Sequence, residues 1–131
     1  MNDNFKLIPC KKEHWEFVRS LRNNDKVKSG FINEDYISKE VHYKFMTKHS
    51  KNYRISMFNN KLFGYVGVIE NSISICTIPD FQGRGLGKFM INEIIKIWPS
   101  AYAKVKINNS SSLKMFEACG FEKKFYILKK K

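Results

Sequence analysis

Apolar positions in the first third of the chain predict a short strand followed by two helices. The strand covers residues 5–9, where apolar side chains cluster. The first helix covers residues 13–21 and the second covers residues 38–47, because apolar residues recur there at helical intervals. Val41 and Phe45 lie four positions apart in the second helix and therefore share one predicted face. This part of the chain is thus expected to pack two helices beside one strand.

The central part of the chain changes to the alternation that is typical of strands. Residues 53–58, 62–69 and 72–78 are rich in β-branched and aromatic side chains, with polar turns at 59–61 and 70–71. Parallel neighbours need a crossover of about a dozen or more residues. Because these connections are much shorter, the three strands are predicted to form an antiparallel meander.

Two more helices and two more strands are predicted after the meander. A strongly apolar helix covers residues 85–98 and is ended by a proline. Residues 103–107 are predicted to form a strand, a helix runs from residue 109 or 110 to a glycine at 120, and residues 121–128 form the last strand. The predicted order is β-α-α-β-β-β-α-β-α-β, which is an α+β fold with a mixed sheet and helices packed on it.

Length and composition indicate one domain that covers residues 1–131. Hydrophobic residues make up 43% of the chain and charged residues 27%, which excludes a chain that is disordered by composition. No apolar run approaches the roughly 20 residues that span a bilayer. The N-terminus lacks a signal-peptide pattern, so a cytoplasmic location is predicted. Cys10, Cys76 and Cys119 show no disulfide or zinc spacing, so no metal is expected.

The chain carries a net charge of +12, which favours anionic partners. Phosphorylated small molecules and nucleic acid both satisfy that preference. The lysines are spread along the sequence, and the single block at residues 129–131 is predicted to be a solvated tail. A nucleic-acid partner is therefore not expected.

A glycine-rich loop at residues 79–88 lies between a predicted strand and a predicted helix. Gly83, Gly85 and Gly87 allow a tight turn and a close approach of the backbone to a ligand. The first N–H groups of the following helix have no internal partner and, with the helix dipole, favour a bound pyrophosphate. A surface turn of this composition is the alternative. No Gly-Lys-Ser/Thr follows, which excludes a nucleotide-triphosphatase loop, and the preceding meander argues against a dinucleotide-binding fold.

Two motifs resemble those of the GNAT superfamily of N-acetyltransferases. Gln82-x-x-Gly85-x-Gly87 is similar to its Q/R-x-x-G-x-G/A signature, and residues 78–81 resemble its lead-in, although one position of that lead-in is absent. The helix from Asn109 to the Gly-Phe pair at 120–121 resembles the closing helix of the family. The resemblance covers nearly the whole chain. It implies a three-layer α/β/α arrangement, a mainly antiparallel sheet and acetyl-CoA as the acyl donor.

In this family the strand before the loop diverges from its parallel neighbour, and the pantetheine arm lies in the gap. The resemblance places that gap between residues 72–78 and 103–107. It implies main-chain contacts from Cys76, Thr77 and Ile78 and a further contact from Asn109, which also suits a helix cap. The residues implied to wrap the pyrophosphate are Gln82, Gly83, Arg84, Gly85, Leu86, Gly87 and Lys88.

The reaction implied by the resemblance is direct attack of an amine on the thioester. The amine must lose a proton, the carbonyl oxygen must be stabilised, and the departing thiolate is best protonated. Phe116 occupies the position where the family often has a tyrosine that donates this proton. Phe116 is therefore expected to pack against the cofactor, and either another donor acts or coenzyme A leaves as thiolate.

The N-terminal half resembles a GNAT branch that acetylates nucleotide-linked amino sugars, including the acetyltransferase of pseudaminic acid biosynthesis. The matching positions are Arg22 and Asn23 after the first helix, Phe31, and His42 on the second helix. Arg22 is suited to a phosphate, Asn23 to sugar hydroxyls, and His42 to substrate binding or to accepting the amine proton. The alternatives are a solvated helix end for Arg22 and a packing role for His42.

The sequence therefore predicts an acetyl-CoA-dependent N-acetyltransferase with a small amine acceptor, most favourably a nucleotide-linked amino sugar. The alternatives are acetylation of a protein N-terminus or lysine, and a non-catalytic domain that binds CoA or RNA. The short last strand leaves an open sheet edge, so both a monomer and a homodimer are compatible with the sequence.

Overall fold

The computed structural model describes residues 5–131. Residues 1–4, on which part of the signal-peptide argument depends, lie outside the described part of the chain. Four strands and four α-helices position the site. They are β1 (Lys6–Pro9), α1 (Trp15–Arg22), α2 (Lys39–His49), β2 (Tyr53–Phe58), β3 (Lys61–Ile69), β4 (Ser72–Thr77), α3 (Leu86–Ile97) and α4 (Ser110–Ala118).

The four strands form an antiparallel sheet in the order β1-β2-β3-β4. Two-residue turns join the last three strands, and their residues Asn59, Asn60, Glu70 and Asn71 all have positive φ angles, between 49° and 66°. Two successive left-handed residues are what a tight hairpin with the native strand twist requires. The meander predicted from the alternating pattern is therefore confirmed.

Helices cover both faces of the sheet, which confirms the three-layer α/β/α prediction. Helices α1 and α2 pack with Tyr53, Tyr65 and Cys76 on one face. Helices α3 and α4 pack with Val66 and Ile73 on the other. This separation follows from the strands, because successive side chains point to opposite faces.

The predicted face of α2 is partly wrong. Val41 is 61% exposed, whereas His42 and Met46 are buried and Phe45 packs at the edge of the core. The buried stripe is therefore displaced by one position. His42 can join it because its Nε2 atom lies 2.9 Å from the Trp15 carbonyl oxygen.

Two of the predicted strands do not form. Residues 103–107 and 121–128 have no strand pairing, and only Tyr102 makes a single parallel bridge, to Ser72. The Ile73 N–H donates to the Tyr102 carbonyl at 2.9 Å, after which the two segments part. Local alternation alone does not make a strand, because a strand also needs a paired edge. The apolar side chains at 103 and 105 instead pack against the α3–α4 core.

Candidate active site

The loop before α3 has the backbone that an anion site requires. Gly83 and Gly85 have φ angles of 79° and 85°, and Gly85 is the N-cap of the helix. The first-turn N–H groups of residues 86–88 consequently have no helical acceptor and face outward with the positive end of the helix dipole. No acidic residue lies in this first turn, so nothing within the helix neutralises that potential.

A cleft of about 700 Å³ opens in front of this helix end. Its charged lining residues are Lys26, Lys88 and Lys114, and no carboxylate among the described residues lines it. This size, the exposed helix N–H groups and the uniform positive charge suit an elongated anionic ligand such as acetyl-CoA. The predicted cofactor residues that the structure brings together here are Cys76, Thr77, Gln82, Gly83, Gly85, Gly87, Lys88 and Asn109.

The other predicted cofactor residues have different positions. The Leu86 side chain is buried in the core below α3, so this residue offers the ligand only its main chain. The Arg84 guanidinium lies over the Phe81 ring, 5.2 Å from its centroid. The Ile78 N–H donates to the Phe63 carbonyl, and its own carbonyl accepts from Phe81. Both main-chain groups of Ile78 are therefore engaged within the chain, and Ile78 does not line the large cleft.

The free edge of β4 forms one wall of the large cleft. Because the Ile73 N–H points to Tyr102, strand alternation directs the main-chain groups of Ile75 and Thr77 toward the same open edge. Those of Cys76 face β3 instead, although the residue lines the cleft. Sequence reasoning missed Ile75, although the two-residue period of the strand already relates it to Thr77.

Helix α4 closes the opposite wall. The Asn109 side chain caps it by accepting from the Ser112 N–H at 3.2 Å, and Asn109 also lines the cleft. Asn109 therefore both caps α4 and lines the cleft. At Gly87 a Cβ atom would clash with the Met115 sulfur, so this glycine leaves room for the Met115 side chain of α4.

A second cleft of about 300 Å³ adjoins the first and shares Gly30, Phe31, Ile75, Asn109 and Ser112 with it. Its aromatic lining residues are Phe31, Phe45, Tyr53 and Phe116. Its charged lining residues are Arg22 and Lys104, and no carboxylate or imidazole of the described residues lines it. Phe116 is found in this cleft rather than beside the glycine loop. Phe116, which was predicted to pack against the cofactor, therefore does not line the cleft in front of α3.

Arg22 ends α1 at the wall of the second cleft. Its guanidinium lies over the Phe31 ring at 5.5 Å, and its buried Nε atom has no hydrogen-bond partner among the described residues. An unpaired buried donor is costly, so an acceptor group in the cleft would stabilise it. Burial raises the pKa of the Cys76 thiol to about 12, and the positive charge of Arg22 opposes this only in part.

Asn23 and His42 lie elsewhere. The Asn23 amide accepts from the Ile37 N–H at 2.8 Å and donates to the Ile37 carbonyl at 2.9 Å, so it fastens the loop between helices α1 and α2. His42 is 3% exposed between the same helices and lines neither cleft. Its burial lowers the pKa of the imidazole. These positions match packing roles and do not support the substrate and catalytic roles predicted for the two residues.

Comparison with known families identifies the family of the chain. A family model described as the acetyltransferase (GNAT) family matches residues 15–121, which is most of the chain. The chain belongs to the GNAT family. The GNAT enzyme is an acetyl-CoA-dependent N-acetyltransferase, and the cleft in front of α3 has the charge and backbone groups that this donor requires.

Solved structures share the fold of this GNAT enzyme. The spermidine N-acetyltransferase of Vibrio cholerae, in complex with CoA and spermine, has a TM-score of 0.84 at 22% identity, covering 98% of this chain and 87% of that one. Ribosomal-protein-alanine N-acetyltransferase from Brucella melitensis has a TM-score of 0.74 at 14% identity, covering 90% and 83%. An aminoglycoside N-acetyltransferase, AAC(6')-Iy, in complex with CoA has a TM-score of 0.72 at 17% identity, covering 100% and 96%.

A comparison with curated protein sequences found no match. Within residues 5–131, every helix is too short or too polar to cross a membrane. The same residues contain no group of three or more His, Cys, Asp or Glu side chains placed to hold a metal ion.

Proposed function

We propose that this GNAT enzyme acetylates the primary amine of a nucleotide-linked amino sugar. The observation that carries the proposal is the cationic second cleft, where Arg22 presents a buried Nε donor without a partner in residues 5–131, beside the Phe31 ring. Phosphate oxygens are strong acceptors for such a donor, and aromatic walls suit a base or a sugar face. Lys104 adds a second positive charge to the same cleft.

The donor is proposed to lie with its pyrophosphate at the N-terminus of α3. Acetyl-CoA supplies an activated acetyl thioester when it is bound. The N–H groups of Ile75 and Thr77, at the open edge of β4, are proposed to donate to amide carbonyl oxygens of the pantetheine arm. They are also proposed to donate to the thioester carbonyl oxygen as it gains negative charge. Three lysines around the cleft hold the phosphate groups by charge.

The chemistry is proposed to be direct attack without an acyl-enzyme. The neutral acceptor nitrogen forms a bond to the acetyl carbon, the carbon–sulfur bond breaks, and coenzyme A leaves as the thiolate with the bonding electron pair. The nitrogen loses its proton to water. Cys76 is the only cysteine among the described residues that lines either cleft, and a thiol whose pKa is raised to about 12 is a poor nucleophile near neutral pH. No side-chain carboxylate or imidazole of residues 5–131 lines the clefts, so water is the proposed proton acceptor.

The charge of the second cleft argues against the kinds of acceptor that the names of two structural neighbours indicate. The Vibrio cholerae enzyme is a spermidine N-acetyltransferase crystallised with spermine, and another neighbour is an aminoglycoside N-acetyltransferase. Polyamines and aminoglycosides are polycations at neutral pH. A cleft whose charged residues are Arg22 and Lys104 repels such acceptors and favours an acceptor that carries negative charge.

The proposal is tested by a screen of acceptors with acetyl-CoA and a free-thiol readout. The acceptors are a nucleotide-linked amino sugar, the same sugar without the nucleotide, spermidine, and a peptide with an N-terminal alanine. Only the nucleotide-linked sugar is expected to give efficient turnover. If CoA binds in calorimetry but this sugar is not acetylated, the acceptor is wrong while the donor site stands.

Substitution of Arg22 tests the residue that carries the proposal. R22Q is expected to lower kcat/KM for the nucleotide-linked acceptor by about 10- to 100-fold, the value of one charge-assisted hydrogen bond. The affinity for CoA should stay unchanged, because Arg22 lies outside the larger cleft. R54Q is the matched control, since Arg54 lies over the Trp98 ring and lines neither cleft. An equal effect of both substitutions would contradict the role of Arg22.

A further inference from the structure

The stretch that follows the bridge between β4 and Tyr102 directs two lysines away from the α3–α4 core. Ala103 and Val105 pack against that core. The Lys106 ammonium instead donates to a main-chain carbonyl of the loop between α1 and α2, at 2.8 Å. Because side chains of an extended stretch alternate in direction, Lys104 is directed to the same side as Lys106. That is the side on which the second cleft opens, and Lys104 is one of its lining residues.

The two lysines differ in what surrounds their amines. Lys106 pairs with the Glu34 carboxylate and lines neither cleft. Lys104 lines the second cleft and forms no ion pair with a carboxylate of residues 5–131. Arg22, the other charged residue of this cleft, carries a guanidinium that stays protonated and does not react as an amine. Lys104 is therefore the only primary amine among the described residues that lines the second cleft.

Lys104 lies opposite the part of β4 where the thioester is proposed to bind. Ser72 and Tyr102 form a parallel bridge. Ser74 and Lys104 each follow this bridge by two residues, and both line the second cleft. Ile75, whose N–H is proposed to bind the thioester carbonyl oxygen, comes next on β4 and lines both clefts. Because a lysine amine is carried on a flexible four-carbon stem, it can reach the space that the two clefts share.

We infer that the enzyme acetylates its own Lys104 when acetyl-CoA is bound and the second cleft holds no acceptor. The neutral Lys104 nitrogen forms a bond to the acetyl carbon, the carbon–sulfur bond breaks, and coenzyme A leaves as the thiolate with the bonding electron pair. The nitrogen loses one proton to water. The resulting amide is stable, so it is an end product and not an intermediate of acceptor turnover. The modification removes one of the two positive charges that line the second cleft.

Peptide mass mapping of the wild-type chain after incubation with acetyl-CoA tests the modification. Lys104 is expected to gain an acetyl group about tenfold faster than Lys61 or Lys106, because an amine held beside the bound thioester benefits from proximity. Both reference lysines line neither cleft. Equal rates at the three lysines would indicate ordinary chemical acetylation and overturn the inference. A label confined to the lysines of the larger cleft would also overturn it.

Two conservative variants assign the label to one residue. K104R keeps the positive charge but removes the amine that is acetylated, so its label is expected to fall to the background level. K106R is the matched control, because it keeps a positive charge beside Glu34 and should be labelled as fast as the wild type. Wild-type labelling in K104R would overturn the inference. The mapping of the wild-type chain does not depend on the folding of either variant.

The kinetics of labelling show whether the reaction takes place within one chain. The rate per chain is expected to saturate with acetyl-CoA and to be independent of protein concentration. An excess of CoA should slow labelling of Lys104 but not of Lys61, because CoA competes for the larger cleft and Lys61 lines neither cleft. A rate per chain that rises in proportion to protein concentration would show that another copy performs the transfer, which overturns the inference.

The self-modification depends on the donor site and goes beyond the proposed acceptor. Adding a nucleotide-linked amino sugar is expected to slow labelling of Lys104, and this one expectation rests on the proposed function. If the sugar is not acetylated while Lys104 is, the proposed acceptor is wrong and the self-modification stands. If the sugar is acetylated while Lys104 stays unlabelled in its absence, the proposed function stands and the self-modification is overturned.

Discussion

Burial sets the protonation of the ionisable side chains that surround Arg22. Burial raises the pKa of Tyr53, Tyr65 and Cys76, while the positive charge of Arg22 acts in the opposite direction on each. These groups are therefore neutral near physiological pH, which leaves Arg22 and Lys104 as the charged lining residues of the second cleft. An acceptor recognised there meets two positive charges beside neutral polar and aromatic groups.

His42 makes the stability of the fold depend on pH. Burial lowers its pKa below the ordinary 6.5, although the hydrogen bond with the Trp15 carbonyl opposes this. The unfolded chain therefore takes up the proton first as pH falls. The free energy of unfolding is expected to decrease from about pH 6.5 down to the lower pKa of the folded state, and to be constant in this respect above 6.5.

H42Q tests this dependence because glutamine cannot titrate but can still donate to the Trp15 carbonyl. Urea unfolding at a series of pH values should show a flatter decline between pH 7 and 5 for the variant than for the wild type. The pH dependence of the free energy of unfolding should differ least between the two proteins near pH 8, where His42 is neutral in both the folded and the unfolded wild-type chain. Parallel curves across the whole range would show that another group causes the decline.

At the scale of elements, the loop between β4 and α3 combines a left-handed backbone with the proposed pyrophosphate site. Gly83 and Gly120 both have positive φ angles, 79° and 91°, and at both a Cβ atom would meet nothing within 4 Å. Gly83 lines the larger cleft, whereas Gly120, which follows α4, does not. The two glycines therefore form a natural pair for separating strain from binding.

G83A and G120A are each expected to lower the free energy of unfolding by about 1–2 kcal/mol, the cost of a left-handed residue with a Cβ atom. G83A alone should also weaken CoA binding, by about tenfold if one main-chain contact to phosphate is lost. Calorimetry with CoA and urea unfolding measure the two effects. Equal CoA affinity in both variants would contradict a ligand role for the loop backbone.

Sequence patterns predict local elements well in this chain and non-local pairing poorly. The helices and the meander follow from periodicity and tight turns, which act within a few residues. Residues 103–107 and 121–128 have the composition of strands, but their pairing depends on an edge that composition does not reveal.

The residues of the candidate site fall into the same two groups, those set by local sequence and those set by distant contacts. Most residues of the glycine loop lie where their motif predicts, because a strand–loop–helix unit is local. His42 and Asn23 are engaged by Trp15 and Ile37, which are distant in sequence, and no pattern around either residue indicates those contacts. Ile75 was within reach of sequence reasoning, since strand alternation pairs it with Thr77.

At the scale of the whole molecule, the net charge of +12 includes Lys26, Lys88 and Lys114, which line the larger cleft where no carboxylate of the described residues does. CoA affinity is therefore expected to fall several-fold as salt rises from about 50 mM to about 500 mM, because screening shortens the reach of each charge. Pantetheine, which lacks the phosphates, is the matched control ligand and should show no such dependence. Equal salt sensitivity of both ligands in calorimetry would contradict the electrostatic role of these lysines.

The two hydrogen bonds between Asn23 and Ile37 form a clasp that affects how new specificities can arise in this fold. It joins the two ends of the loop between α1 and α2, and Arg19 adds a third bond to the Ile37 carbonyl at 3.0 Å. The enclosed residues include Gly30 and Phe31, which line both clefts. Substitutions within the loop are therefore expected to change the lining of both clefts, while the clasp holds the ends of the loop in place. This makes the loop a suitable target for directed evolution of the proposed acceptor specificity.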